Sequence, residues 1–208
     1  MNISPDQIVY WSQGVLTLNA TIVYTWLVMV LLVAVSAIVA RNLREGPEIS
    51  GLQNLLEVVV EYMHEEIGEI ARKDPGRYLP FIGTLFLYIF VSNVLSVVPG
   101  FEPPTGSLST TAALAICVFV AVPAYGIANQ GVLGYLKYYV QPAWFMLPFN
   151  VIGDLSRTIA LAVRLYGNVM SATLIVGILL ALVPLFFPVV MNVLGLITGV
   201  IQAYIFAV

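Results

Sequence analysis

The sequence is poor in charge, in basic residues and in the side chains that build most metal and redox sites. Of 208 residues only 9% are Asp, Glu, Lys or Arg, against roughly a quarter in a soluble domain. So few charges cannot cover a water-facing surface, and a hydrophobic content of 60% excludes disorder as well. Lys and Arg together number 8 and form no dense cluster, which argues against a nucleic-acid surface. There is one cysteine, Cys117, and one histidine, His64. An intrachain disulfide is therefore excluded, and a zinc site of the usual kind cannot be assembled within the chain. Cys117 lies in an apolar run, where packing or lipid contact accounts for it. No G-x-x-x-x-G-K-[ST] occurs, so the familiar phosphate-cradling loop is missing. No catalytic residue, metal or cofactor is expected.

What the sequence does have is long uncharged runs and a mean hydropathy of +0.97. A bilayer span needs about 20 such residues. The pattern predicts an all-α polytopic membrane protein, one membrane domain over 1–208, with spans at about 16–40, 79–98, 108–128, 148–183 and 189–208. The first span follows a polar stretch containing Tyr10 and Trp11, aromatics suited to a membrane–water interface. It is too long for the core of a cleavable signal peptide. Segment 51–70 differs, because apolar residues alternate at helical spacing with Glu57, Glu61, Glu65, Glu66 and Glu69. That is an amphipathic helix at or outside the membrane edge. Its acids read either as a solvated face or as a contact with another subunit. His64, among them, reads as a solvated or capping residue. Segments 99–107 and 129–141 are predicted loops, and Pro184 and Pro188 break the last apolar stretch into two helices. Arg41, Arg44, Arg72, Lys73, Arg77 and Lys137 all fall on one side of this arrangement. The positive-inside rule makes that side cytoplasmic and turns the N-terminus outward.

Three charges interrupt the fourth span: Asp154, Arg157 and Arg164. A charge at the bilayer centre costs about 2.5–3.5 kcal/mol on insertion scales. On a helix, Asp154, Arg157, Arg164, Asn168 and Ser171 fall within an arc of roughly 100°, a stripe that must face protein or a wet cavity. Asp154 and Arg157 are spaced for an i,i+3 pair. Arg164 lies about 15 Å along the helix from Asp154, and no charged residue follows it. Its guanidinium holds its proton under almost any conditions. Its counter-charge must come from a distant segment or from another protein. In the last span, Gly195, Thr198, Gly199 and Gln202 share a face, and Gly195 and Gly199 form a G-x-x-x-G that permits close helix approach.

Residues 163–168, Val-Arg-Leu-Tyr-Gly-Asn, resemble the R-L-F/Y-G-N motif of subunit a of the F-type ATP synthase. So do Leu147-Pro148-Phe149-Asn150 before it and Ile201-Gln202-Ala203-Tyr204-Ile205-Phe206 after it. Upstream, Pro80-Phe81-Ile82-Gly83-Thr84 and Phe90-Val91-Ser92-Asn93 resemble the same family. The resemblance runs from about Leu55 to the C-terminus. It implies a noncatalytic stator subunit whose last two helices form a long tilted hairpin along a ring of c subunits. It also implies b-type subunits of the peripheral stalk and the remainder of the F1FO complex as partners. Arg164 matches the family's essential arginine, facing the rotor carboxylate between two aqueous half-channels. Gln202 and Asn168 match the polar residues beside it.

The match has two departures. Many family members carry a carboxylate nine residues after the arginine, where this chain has Thr173. Many carry a polar residue seven before the glutamine, where this chain has Gly195. Asn93, Glu102 and Ser107 are candidate replacements, unranked. Asp154, Arg157, Ser171 and Thr173 complete the candidate half-channel set, Asp154 on the cytoplasmic side. Proton and sodium coupling stay open. The implied location is a bacterial inner membrane or, alternatively, a thylakoid membrane, and the family's final helix usually continues beyond the counterpart of Val208. Two rival readings are a secondary transporter that binds an anion at Arg164 and a membrane scaffold that conducts nothing.

Overall fold

A computed structural model describes residues 6, 9–13, 16–41, 51–71, 75–98, 100–140, 144–182 and 187–207. Among these, six helices follow a short hairpin: α1 Ala20–Arg41, α2 Gly51–Ala71, α3 Leu79–Leu95, α4 Leu108–Val140, α5 Met146–Leu182 and α6 Phe187–Ala207. The helices within Ala20–Arg41, Leu108–Lys137, Met146–Leu179 and Val189–Ala207 are long and apolar enough to cross a membrane. α3 is as apolar but has 17 residues, which at 1.5 Å each give about 25 Å.

The distribution of side chains fits lipid better than water. Trp26, Val30 and Val33 on α1 and Ile116, Val120 and Val122 on α4 face outward. The interior is a small cluster of Val28, Leu85, Tyr88, Ile89, Ala115, Ala162, Leu165, Ala203 and Phe206, drawn from α1, α3, α4, α5 and α6. α4 packs along α5, α3 along α6, and α5 along α6. A hydrophobic driving force between helices is weak in lipid, so close packing and interhelical hydrogen bonds must hold such a bundle.

The two ends of the bundle are tied differently. At one end Asp6 accepts hydrogen bonds from Thr21 Oγ1 and Ser107 Oγ, both 2.6 Å. There Tyr24 donates to the Gly100 carbonyl at 2.9 Å and meets Phe101 edge-on. Gly100 takes φ +91, a conformation that suits glycine at this turn. At the other end Arg77 donates to Asn129 Oδ1 at 3.3 Å, and the Asn129 amide bonds the Tyr78 hydroxyl. α2 lies at this second end, where its Glu66 accepts a 2.9 Å hydrogen bond from Tyr204 near the end of α6.

Several predicted boundaries shift. Leu16–Asn19 is not the start of the first span. It is a strand, β2, paired antiparallel with β1 (Val9–Gln13), so an all-α membrane bundle carries one small hairpin ahead of α1. The second span ends at Leu95 in place of 98 because the chain turns at Ser96–Val98. The predicted loop at 129–141 is helix to Val140, with a sharp bend at Gly131 (φ 73, ψ 164). The bend folds the chain back far enough to bring Tyr135 onto Gly126. Glycine punctuates this segment as a kink and does not end it. The fourth predicted span, α5, starts at Met146, and α6 starts at Phe187, with Pro188 in its first turn, where the missing N–H breaks no helical bond. Pro184, Val208, Arg44, Arg72 and Lys73 lie outside the described residues.

Candidate functional site

The seam between α5 and α6 gathers the polar side chains that sequence alone placed in the apolar stretch. Arg164, Gly167, Asn168 and Ser171 on α5 and Thr198, Ile201 and Gln202 on α6 line one open groove of about 420 Å³. The 3.6-residue repeat puts Arg164, Asn168 and Ser171 on one α5 face. Asn192, Gly195, Gly199 and Gln202 form the matching row on α6. Arg164 is exposed, and no ion pair among the described residues engages it. Gln202 is buried with its Nε2 unpartnered, a donor left available at the groove. Leu165, one step round the helix from Arg164, is wholly buried, which fixes the rotation of α5 and turns the guanidinium outward.

Three hydroxyls near the groove are satisfied by their own helix backbone. Ser171 donates to Asn168 O at 3.1 Å, Thr173 to Val169 O at 2.9 Å, and Thr198 to Leu194 O at 2.9 Å. Such back-bonding allows a hydroxyl to sit in an apolar helix without an orphaned donor.

Two further cavities flank this groove. Toward the end tied by Asp6, a space of about 190 Å³ is lined by Asn93 and Ser96 of α3, residues 101–103 and 106 of the loop, Asn168 and Thr173 of α5, and Asn192 and Gly195 of α6. Glu102 lines it half-buried, and burial raises the carboxyl above its usual range. Toward the other end, a space of about 880 Å³ runs from Tyr78, Asn129 and Gln130 past Arg157 to Arg164. Asn168 borders both the first cavity and the groove, and Arg164 borders both the groove and the second cavity. The arginine therefore stands between two spaces that lead to opposite ends of the bundle.

The predicted site residues divide accordingly. Arg164, Asn168, Ser171 and Gln202 come together in the groove. Asn93, Glu102 and Thr173 come together in the smaller cavity. Arg157 lines the larger one, and also shares an apolar recess between α4 and α5 with Asp154, Tyr135 and Leu147. Asp154 accepts Thr158 Oγ1 at its carbonyl, 2.8 Å. Ser107 stands apart, turned to Asp6. Asn93 is buried and donates through Nδ2 to Gly199 O at 3.1 Å. A Cβ at Gly199 would sit 2.9 Å from Asn93 Cβ, whereas one at Gly195 would meet Ala172 at an ordinary 3.7 Å. The G-x-x-x-G thus lets α6 approach two different helices.

Sequence reasoning passed over Ser96, Asn192, Tyr78 and Asn129. Ser96 and Asn192 carried a usable signal, since each is polar within or beside an apolar run, and Asn192 lies three residues before Gly195.

Comparison with known proteins points one way. Residues 22–208 match the family described as ATP synthase A chain. The chain is 61% identical over 208 residues to "ATP synthase subunit a 2" of Acaryochloris marina, covering all of this chain and 89% of that one. It is 56% identical over the same length to "ATP synthase subunit a" of Albidiferax ferrireducens, with 90% of that chain covered. It is 57% identical to "ATP synthase subunit a 2" of Picosynechococcus sp., with 89% covered.

Proposed function

Because the chain belongs to the ATP synthase A chain family, we propose that it is the ion-conducting stator subunit of a rotary ATP synthase. In this reading Arg164 faces an ionisable carboxylate on each c subunit of the rotor, and the two flanking cavities are the offset half-channels. The position of Arg164 carries the proposal: an exposed guanidinium on α5, unpaired among the described residues, bordering the groove and the larger cavity, with Asn168 one turn along joining the groove to the smaller cavity.

The mechanism follows from what charge costs in lipid. A rotor carboxylate moving away from the stator into hydrocarbon must first be neutralised, because an unpaired buried charge is too costly. It loads an ion from one cavity before it leaves. On returning it meets the field of Arg164, which favours the ionised form and drives the ion into the other cavity. Arginine is a fixed positive charge and does not relay a proton. The two paths stay separated, and transport requires rotation. Gln202 supplies an available donor beside the arginine, and Asn168 joins the groove to the smaller cavity. The subunit carries no nucleotide chemistry of its own; b-type stalk subunits and the soluble head complete the machine.

The absence of Lys and Arg from 78–136 supports placing the Asp6 end outside and the α2 end in the cytoplasm of a bacterial inner membrane. Replacing Arg164 by Ala is expected to abolish ATP-driven ion pumping by the reconstituted complex while the head still hydrolyses ATP. Coupled pumping at the parent rate would overturn the reading.

A further inference from the structure

If the smaller cavity is an ion path, as that reading holds, the ion needs a group there that can hold and release it, and we infer that this group is the carboxylate of Glu102. Among the described residues, Glu102 is the one ionisable side chain lining the cavity; the other polar walls are the amides of Asn93, Asn168 and Asn192 and the hydroxyls of Ser96 and Thr173. Amides and hydroxyls can pass a hydrogen bond along, but they do not take up a net charge near neutral pH.

The rival positions are committed elsewhere. The Asn93 amide is spent on Gly199 O, and the Thr173 hydroxyl on Val169 O. Ser107 points to Asp6. Asp6 is the other carboxylate at this end among the described residues, and it accepts from Thr21 and Ser107. The elements around the cavity bring no opposing charge to it. α3, the 100–107 loop and α4 up to Leu136 hold no Lys or Arg, α5 beyond Arg164 holds none, and α6 holds none. Glu102 is therefore not locked in an ion pair by a neighbouring base, and partial burial draws its carboxyl upward from the ordinary value.

The step balances without a co-reactant. A proton from outside water forms an O–H bond on Glu102. That bond breaks as one forms on the rotor carboxylate, through water or the Asn168 side, and the Glu102 carboxylate is restored. If the coupling ion is sodium, the same carboxylate binds and releases it with no covalent change.

The test uses the whole complex in proteoliposomes, with ATP synthesis driven by an imposed ion gradient and measured across pH on the side away from the head, with and without sodium. Glu102→Gln is expected to lower the rate about tenfold or more, within the range of a lost acid–base group, and to remove one ionisation from the outer pH profile. In the sodium arm, a sodium dependence that weakens in Glu102→Gln identifies sodium as the ion held there. Thr173→Glu, which puts a carboxylate on another wall of the same cavity, is expected to restore most of the rate in the Glu102→Gln background. A Glu102→Gln complex with the parent rate and profile overturns the inference, and so does a loss that Glu102→Asp and Thr173→Glu both fail to relieve. Should Glu102→Gln fail to assemble, Glu102→Asp decides the matter: a displaced outer pH profile supports the role and an unmoved one overturns it. Arg164→Ala run in parallel separates the two ideas. If Arg164→Ala is inactive and Glu102→Gln is normal, only the role of Glu102 falls; if Arg164→Ala still pumps, the half-channel reading falls with it.

Discussion

The two cavities that flank the Arg164 groove are built on different principles. The smaller, about 190 Å³, is walled by helices in tight contact: Gly199 admits Asn93, whose amide seals α3 to α6. The larger, about 880 Å³, is bounded by aromatic rings, by Arg157 and by the exposed Arg77–Asn129–Tyr78 linkage. Tolerance to substitution should differ in step. Where walls meet at backbone distance, one methyl is felt throughout; where they meet through long side chains at the rim, the same change is absorbed.

The sharpest way to break this contrast is Gly199→Ala. Its Cβ would lie 2.9 Å from Asn93, so α3 and α6 must part, at about 1–3 kcal/mol for an overpacked site. A lower melting temperature of the detergent-solubilised protein and reduced pumping are expected, while Gly195→Ala, with 3.7 Å to Ala172, stays near the parent. Equal behaviour of the two glycine variants would remove the distinction. Asn93→Ala should act less strongly, losing one interhelical hydrogen bond worth about 0.6–2 kcal/mol in a membrane, read by the same melting measurement. The smallest effect is expected from Asn129→Ala. It cuts an exposed linkage at the wide end, worth about 0.5 kcal/mol or less, and pumping should hold within about twofold. A large loss there would mean the wide cavity is as finely built as the narrow one.

Much of this was legible in the sequence, for identifiable reasons. Uncharged runs marked the spans because lipid tolerates no alternative. Arg164 stood out because a permanent charge with no acid nearby in sequence is rare in such a run. The 100° stripe placed Asn168 and Ser171 beside it, as the groove does. Less was legible where the outcome depends on how distant segments meet. Gly131 reads as a breaker until its φ of 73 is seen to bend a continuing helix. Leu16–Asn19 reads as apolar helix until it pairs with Val9–Gln13. Asn93, Glu102 and Ser107 are equivalent by composition. Only the packing of α3, α5, α6 and the 100–107 loop separates a helix latch, a cavity wall and a partner of Asp6.

That last contact also bears on biosynthesis. Asp6 leaves the ribosome about 100 residues ahead of Ser107, several seconds at ordinary rates of translation. Until the loop that carries Ser107 is made, the hydrogen bond between the two cannot form. The first transmembrane segment, tied to Asp6 through Thr21, thus gains its link to the 100–107 loop only after a much later residue arrives, and this end of the bundle is completed late in insertion.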